Sequence, residues 1–190
     1  MKKIFVVMLC LLSVSAFALK ITSDVNGLVY LPHHQLKIGS AAPKVTLLTG
    51  QYKKVTIGGA TGKVQIISTI ESFNTPVCDQ QTMWFNKTAK KLKDVTISVV
   101  TTNQPFVVDA FQTQHNIKNI NLLSAFNDPK FGMAYGVQVV GGELKGITAR
   151  SIFVVNKAGK IVYKEITENI DKMPNLEAAF AAAKKASVVS

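Results

Sequence analysis

Residues 63–85, KVQIISTIESFNTPVCDQQTMWF, contain the pattern that decides the fold. The apolar run over residues 63–69 predicts a buried strand, and a loop with Asn74 and Pro76 follows it. A helix is predicted next, because apolar and small residues then recur at three- and four-residue steps: Cys78, Thr82, Phe85, Ala89 and Leu92. A buried strand that leads through a short loop into a helix indicates an α/β protein.

The rest of the chain continues this alternation of strands and helices. Asn26-Gly27 separates two short strands, which predicts an N-terminal β-hairpin. Further strands are predicted at 43–48, 54–57, 95–101, 121–124, 150–156 and 160–167, and helices at 105–114, at 129–135 and near the C-terminus. This order favours a mixed sheet flanked by helices on both faces, in the thioredoxin-like arrangement.

The first eighteen residues have the features of a signal peptide. A basic start, Met1-Lys2-Lys3, precedes an apolar run, and Ala16-Phe17-Ala18 supplies the small residues at which a signal peptidase cleaves. The alternative is an uncleaved anchor, but the apolar stretch is shorter than the ~20 residues that span a bilayer. We therefore expect a leader over residues 1–18 and one domain over residues 19–190, exported to a periplasm or secreted.

Charge and length restrict the function classes. The 190-residue chain has a net charge of +11, which falls to +9 when Lys2 and Lys3 leave with the leader. A basic protein is attracted to anionic surfaces, but an exported protein seldom meets nucleic acid, so no nucleic-acid partner is expected. The mature chain has no further segment that is apolar enough to span a membrane. The lysines at 87, 90, 91 and 93 are interpreted as the solvated face of one helix.

Cysteine usage singles out Cys78. The chain has two cysteines, and Cys10 lies in the predicted leader, so the mature chain keeps one thiol and no internal disulfide. A helix that begins near Pro76 places Cys78 in its first turn, where free N–H groups and the helix dipole favour a thiolate. Thr75 can cap that helix or turn its hydroxyl toward the sulfur. From these residues alone, a buried structural cysteine is an equal alternative.

These residues resemble the peroxiredoxins, and within them the bacterial thiol peroxidase subgroup. The stretch Thr75-Pro76-Val77-Cys78-Asp79-x-Gln81-Thr82 is similar to the active-site signature of that subgroup. Other segments follow in the order of the family, and the resemblance extends over about residues 20–185. They are Lys37-Ile38-Gly39, Ala42-Pro43, Pro105-Phe106, Leu123-Ser124, Phe131-Gly132, Ala134-Tyr135-Gly136-Val137, Leu144-Lys145-Gly146 and Ala149-Arg150.

The resemblance implies a role for three side chains. Cys78 is expected to be the peroxidatic nucleophile, Thr75 a hydrogen-bond partner of the sulfur or the peroxide, and Arg150 the cation that stabilises the thiolate. Without the family, a surface arginine at the start of a strand is the plainer interpretation of Arg150. The resemblance also implies a homodimer and a preference for organic hydroperoxides. No cofactor and no metal are expected, because no cluster of ligand residues has the required spacing.

The sequence departs from the family at two positions. Glu71 stands where a proline shields the peroxidatic cysteine, and a carboxylate directed at the sulfur raises the pKa of a thiol. Gln112 occupies the position of the resolving cysteine and cannot form a disulfide. We therefore expect a one-cysteine cycle, in which a small external thiol or a thiol-disulfide oxidoreductase regenerates Cys78. The alternative is a weakened peroxiredoxin-like module for redox sensing or binding.

Overall fold

The computed structural model describes residues 18–188, so residues 1–17 of the predicted leader lie outside the described residues. Within this range the strands are β1 Leu19–Ser23, β2 Gly27–Leu31, β3 Val45–Leu48, β4 Lys54–Ile57, β5 Val64–Thr69, β6 Val95–Thr101, β7 Asn121–Ser124, β8 Ser151–Val155 and β9 Ile161–Ile166. The α-helices are α1 Pro76–Thr88, α2 Pro105–Gln114, α3 Lys130–Tyr135 and α4 Leu176–Val188.

Seven of these strands form one mixed sheet in the order β4-β3-β7-β6-β5-β8-β9. The inner strands β5, β6 and β7 are parallel, because α1 and α2 provide the crossover connections between them. The outer strands are antiparallel to their neighbours: β8 pairs with β5, β9 with β8, β3 with β7 and β4 with β3.

Helices cover both faces of this sheet. One apolar cluster packs α1, α2 and α4 against the face that includes Ile66, and a second packs α3 against the opposite face, which includes Ile67. Neighbouring residues of a strand point to opposite faces, so this one strand contributes to both clusters. The arrangement confirms the predicted thioredoxin-like α/β fold.

The N-terminal hairpin, β1 with β2, forms a separate two-stranded sheet. The hairpin predicted at Asn26-Gly27 is confirmed. Ser23 pairs with Gly27, so three residues form the loop, and of the dipeptide only Gly27 has a positive φ, +69°. A small apolar cluster joins this hairpin to Ala149 and Ile170, which adjoin the site described below.

The predicted helix after Cys78 is longer than the observed one. Helix α1 ends at Thr88, and a 3₁₀ turn over Ala89–Lys91 leads to Leu92, which has an extended backbone. Leu92 is nevertheless buried in the same apolar cluster as Phe85, so its inward direction was predicted correctly. Within residues 18–188, no helix has the length and apolar character to cross a bilayer.

Candidate active site

Cys78 lies in the first turn of α1, as predicted. The helix begins at Pro76. Proline has no N–H, which costs nothing here because an N–H in the first turn has no acceptor within the helix. The Asp79 N–H donates to the Thr75 carbonyl at 3.0 Å. Cys78 is a free thiol and its side chain is 0% exposed. A peroxide can therefore reach the sulfur only if the surrounding side chains move.

Glu71 is directed at the sulfur. The Cys78 thiol donates a hydrogen bond to Glu71 Oε2 at 2.8 Å, and Glu71 itself is only 9% exposed. The other carboxylate oxygen, Oε1, is buried and has no hydrogen-bond partner among residues 18–188. The carboxylate thus contacts the reacting atom of the predicted nucleophile.

Arg150 is the buried cation of the site. It directly precedes β8 and is 1% exposed, so the interpretation as a surface arginine is wrong. Its Nη2 lies 2.5 Å from Glu71 Oε2 and 3.4 Å from Cys78 Sγ, while its Nε donates to the Ile170 carbonyl at 2.8 Å. The planar guanidinium is therefore fixed between the carboxylate and the sulfur.

Thr75 is the N-cap residue of α1, but its side chain does not cap the helix. Its hydroxyl donates to the Ser72 carbonyl at 3.4 Å, which is a weak bond. Thr75 nevertheless lies close enough to the sulfur to lower the pKa of Cys78 slightly. The structure thus brings Thr75, Cys78 and Arg150 together, in agreement with their predicted proximity.

The electrostatic balance at the sulfur differs from the prediction that the helix start lowers the pKa of the thiol. Burial raises the pKa of Cys78, and the Glu71 charge raises it further, while Arg150 offsets only part of this rise. Burial also raises the pKa of Glu71, and Arg150 again opposes that rise. Cys78 and Glu71 are coupled, and with one proton between them they carry a single negative charge. The positive charge of Arg150 then makes the cluster neutral.

Gln81 completes this cluster, and although it stands in the signature quoted above, the sequence reasoning gave it no role. Gln81 is fully buried, accepts from Arg150 Nη1 at 2.8 Å and donates to Ser68 Oγ at 2.6 Å. Its spacing was the available signal, because residues three apart in a helix share a face and Gln81 follows Cys78 by three. No sequence pattern indicated the contact between the Ile170 carbonyl and Arg150, because only the tertiary fold brings these two residues together.

The loop that carries Glu71 is held by polar contacts from β6 and the residues after it. Thr101 Oγ1 donates to the Glu71 carbonyl at 3.3 Å. Asn103 accepts from the Phe73 N–H at 2.9 Å and donates to Ser72 Oγ at 3.1 Å. These contacts fix the loop backbone beside the sulfur, and the fixed backbone directs the Glu71 side chain toward Cys78.

The position of the missing resolving cysteine lies on α2. Gln112 is half-buried there, and its amide donates to the Ile117 carbonyl at 3.4 Å. On the same helix Phe111 stacks on Phe73 with ring centroids 4.2 Å apart. A pocket of about 270 Å³ opens between α2 and the start of α1, lined mainly by Phe73, Asn74, Asp79, Val107, Phe111 and His115.

The fold and this site together define a class of protein. A thiol in the first turn of the helix that follows an inner strand, with a buried arginine from a neighbouring strand beside it, is the arrangement of a thiol-based redox protein on a thioredoxin-like sheet.

The comparisons with known proteins identify the family. The family model for Redoxin matches residues 37–180. The thiol peroxidase of Bacillus subtilis is 38% identical over 159 residues, 84% of this chain and 93% of that protein, and the thiol peroxidase of Listeria monocytogenes is 40% identical over 150 residues, 79% and 89%. The chain belongs to the Redoxin family and, within it, to the bacterial thiol peroxidases.

Solved structures agree with this assignment. The crystal structure of a peroxiredoxin-like protein from Aquifex aeolicus has a TM-score of 0.82 and 32% identity, and the match covers 87% of this chain and 96% of that one. The thiol peroxidase from Chromobacterium violaceum has a TM-score of 0.76 at 17% identity, which supports the fold alone.

Proposed function

We propose that this chain reduces hydrogen peroxide and organic hydroperoxides through Cys78 alone, and that an external thiol regenerates it. Membership among the bacterial thiol peroxidases makes the chain a thiol-dependent peroxidase, so the proposal concerns how the cycle is completed. The observation that carries it is that Cys78, beside Arg150, is the only cysteine of residues 11–190.

The proposed cycle has three steps. The Cys78 thiolate attacks one peroxide oxygen, the O–O bond breaks, and the products are a sulfenic acid and water or an alcohol. An external thiol then displaces water from the sulfenic acid and forms a mixed disulfide. A second external thiol releases Cys78 as the thiol and leaves as the external disulfide. In the first step Arg150 stabilises the thiolate, and Thr75 donates a hydrogen bond from its hydroxyl to a bound peroxide.

Stopped-flow oxidation tests this proposal. The purified protein is mixed with hydrogen peroxide or an organic hydroperoxide, and loss of the Cys78 thiol is followed beside free cysteine and the Cys78→Ser variant. We expect the protein to react at least ~10 times faster than free cysteine, because Arg150 lies beside the sulfur and stabilises the negative charge that forms there as the bound peroxide is attacked. A rate constant no larger than that of free cysteine refutes the peroxidase proposal.

The second candidate function is redox sensing or binding, and one observation favours it. Cys78 is fully buried and burial raises its pKa, which are properties of a slowly reacting thiol. A sensor forms a lasting mixed disulfide with a partner protein. Partners captured through a disulfide, present with the wild type and absent with Cys78→Ser, support sensing, whereas equal capture by both proteins refutes it.

The substrate class is proposed from the pocket between α1 and α2. Phe73 and Phe111 form an aromatic wall there, directly beside the turn that carries Cys78. Such a wall packs well against an alkyl or aryl group, so we expect cumene hydroperoxide to react faster than hydrogen peroxide. Phe111→Ala should reduce the cumene hydroperoxide rate more than the hydrogen peroxide rate.

A homodimer is proposed from the resemblance and from exposed aromatic residues. Phe106 at the start of α2 and Phe126 after β7 are 59% and 42% exposed. Their segments adjoin, because Ser124 Oγ donates to the Asn103 carbonyl at 2.6 Å. Light scattering should give twice the chain mass, and a Phe106→Asp and Phe126→Asp double variant should give a single chain mass.

Export through a cleaved leader is proposed from residues 1–18. The basic start, the apolar run and Ala16-Phe17-Ala18 support it. The protein recovered from the exported fraction should begin at Leu19. A variant with bulky residues at 16 and 18 should keep its leader, and a wild type that begins at Met1 contradicts cleavage.

A further inference from the structure

The buried cluster at the start of α1 has a group that the cycle above does not use. Glu71 Oε2 accepts the hydrogen of the Cys78 thiol at 2.8 Å, and its pair oxygen, Oε1, is buried without a hydrogen-bond partner in the described part of the chain. A carboxylate that only kept Cys78 protonated would not need an oxygen atom without a hydrogen-bond partner. An unsatisfied buried oxygen costs free energy, so a bound molecule that donates to it is favoured.

The thiol proton has one route out of this site. Cys78 is completely buried, so its proton does not pass directly to solvent. Within residues 18–188, Glu71 and Arg150 hydrogen-bond to the sulfur at 3.4 Å or less, and the Thr75 hydroxyl also interacts with it. A guanidinium accepts no proton and a hydroxyl is a much weaker base than a carboxylate, which leaves Glu71 as the acceptor.

We propose that Glu71 is the proton acceptor and donor of the peroxidase reaction, taking the proton of Cys78 before attack and giving it to the departing oxygen. The inference rests on the proposed function and assigns a catalytic group within it. It also gives a use to the carboxylate that stands where the family has a shielding proline.

The step balances with no further reactant. The thiol proton moves to Glu71, the sulfur lone pair forms the S–O bond to one peroxide oxygen, and the O–O bond breaks. The departing alkoxide or hydroxide takes the proton from the Glu71 carboxyl group. Cys78 is then a sulfenic acid, the product is an alcohol or water, and Glu71 is again a carboxylate.

The charges around the cluster support a proton that is shared in this way. Arg150 contacts both the carboxylate and the sulfur, so it stabilises the negative charge wherever the proton resides. Burial raises the pKa of Glu71, and the nearby Asp171 adds to the rise. A carboxylate with a raised pKa is a stronger base toward the thiol than an exposed carboxylate.

The decisive experiment compares two reactions of the same sulfur in the wild type and in Glu71→Gln. Alkylation by iodoacetamide needs only the thiolate, whereas reduction of hydrogen peroxide also needs a proton for the departing oxygen. The substituted amide keeps the size and the hydrogen-bond acceptor of the carboxylate but cannot carry the proton. Glu177→Gln is the matched control, because it makes the same substitution at an exposed carboxylate of α4 that neither lines the pocket between α1 and α2 nor accepts a hydrogen bond from the sulfur.

We expect Glu71→Gln to raise the alkylation rate and to lower the hydrogen peroxide rate. The ratio of the peroxide rate to the alkylation rate should fall by about 100-fold, the scale of general acid–base catalysis, while Glu177→Gln leaves the ratio unchanged. Equal increases in both rates refute the inference, because Glu71 then only suppresses the thiolate.

A second measurement uses the wild type alone, so it does not depend on the folding of a variant. Peroxides with different leaving groups, from tert-butyl hydroperoxide to peracetic acid, are compared with free cysteine. With Glu71 as proton donor, the rate of the protein depends less on the leaving-group pKa than the rate of free cysteine. An equal dependence refutes the inference while a fast reaction upholds the proposed function, and a protein no faster than cysteine with every peroxide refutes the proposed function itself.

Discussion

The start of α1 and the end of α2 are the two positions at which this family places its cysteines, and they differ sharply here. At the start of α1, Cys78 is fully buried with Glu71 and Arg150 in direct contact. At the end of α2, the Gln112 side chain donates one long hydrogen bond, to a backbone carbonyl. The first position has a thiol beside two charged side chains, and the second has no thiol. The proposed one-cysteine cycle rests on this difference.

The largest expected effect separates these two regions directly. Cys78→Ser should abolish peroxide reduction, because a hydroxyl is not a nucleophile toward peroxide at neutral pH. Gln112→Ser is the matched change on α2 and should retain the wild-type rate of Cys78 oxidation. Thiol-dependent peroxide consumption measures both, and a large loss in Gln112→Ser would show that α2 takes part in the first step.

The second prediction concerns the stability of the charged cluster. Arg150→Met leaves the Glu71 carboxylate buried without its cation, which should lower the free energy of unfolding by about 3–5 kcal/mol. Urea denaturation should find a larger loss at about pH 8 than at about pH 5, because without Arg150 the carboxyl group is protonated more easily at the lower pH. A loss of the same size at both pH values would contradict a charged Glu71 in the native state.

The third prediction restores the missing partner on α2. Gln112→Cys should form an internal disulfide with Cys78 after one equivalent of peroxide, because the resemblance places the resolving cysteine at this position. Intact mass should then show the loss of two hydrogen atoms per chain, and the disulfide should be reducible. Gln112→Ser again serves as the control, and an oxidised Gln112→Cys that keeps one free thiol would mean that the two regions do not approach each other.

The fourth prediction follows from the raised pKa of Cys78. The folded protein holds the thiol proton more tightly than the unfolded chain, so this contribution to stability is complete below the ordinary thiol pKa of about 8.5 and is lost as the pH rises through the native pKa. Alkylation of the folded protein should therefore reach half of its maximal rate at a pH above that of the protein in urea. A lower midpoint in the folded protein would mean that Arg150 and the helix start outweigh burial and Glu71.

The smallest expected effect lies between the two regions. Asp79 on α1 and His115 at the end of α2 approach within 3.8 Å, and the Asp79 side chain is 40% exposed. Exposed pairs of this kind contribute little, so Asp79→Asn should change the free energy of unfolding by less than about 1 kcal/mol. A larger change in thermal or urea unfolding would show that this contact couples the two helices.

The sequence predicted the fold almost completely, since apolar periodicity and turn residues are local properties. The strand now called β5 was expected at 63–69 and is observed at Val64–Thr69. The end of α1 was missed by a few residues, because Leu92 is buried by tertiary packing although it lies outside the helix. The hairpin at Asn26-Gly27 was predicted correctly, and Gly27 has the positive φ that such a turn requires.

The sequence predicted the proximity of Cys78, Thr75 and Arg150, and it indicated that a carboxylate directed at the sulfur raises the pKa of the thiol. Cys78 and Thr75 lie close along the chain, and the resemblance added Arg150. The direction of Glu71 depends on Arg150, which precedes β8, and on Thr101 from β6, contacts that no local pattern encodes. Burial and this carboxylate raise the pKa of Cys78, and both depend on the tertiary fold.

The proposed one-cysteine cycle is tested most directly by the intact mass of a protein of residues 19–190 after one equivalent of peroxide, followed by addition of a small thiol. We predict a gain of one oxygen atom on Cys78, then a mixed disulfide with the added thiol, and finally the unmodified mass with excess thiol. A disulfide between two copies of Cys78, or a protein that peroxide leaves unchanged, would contradict this cycle.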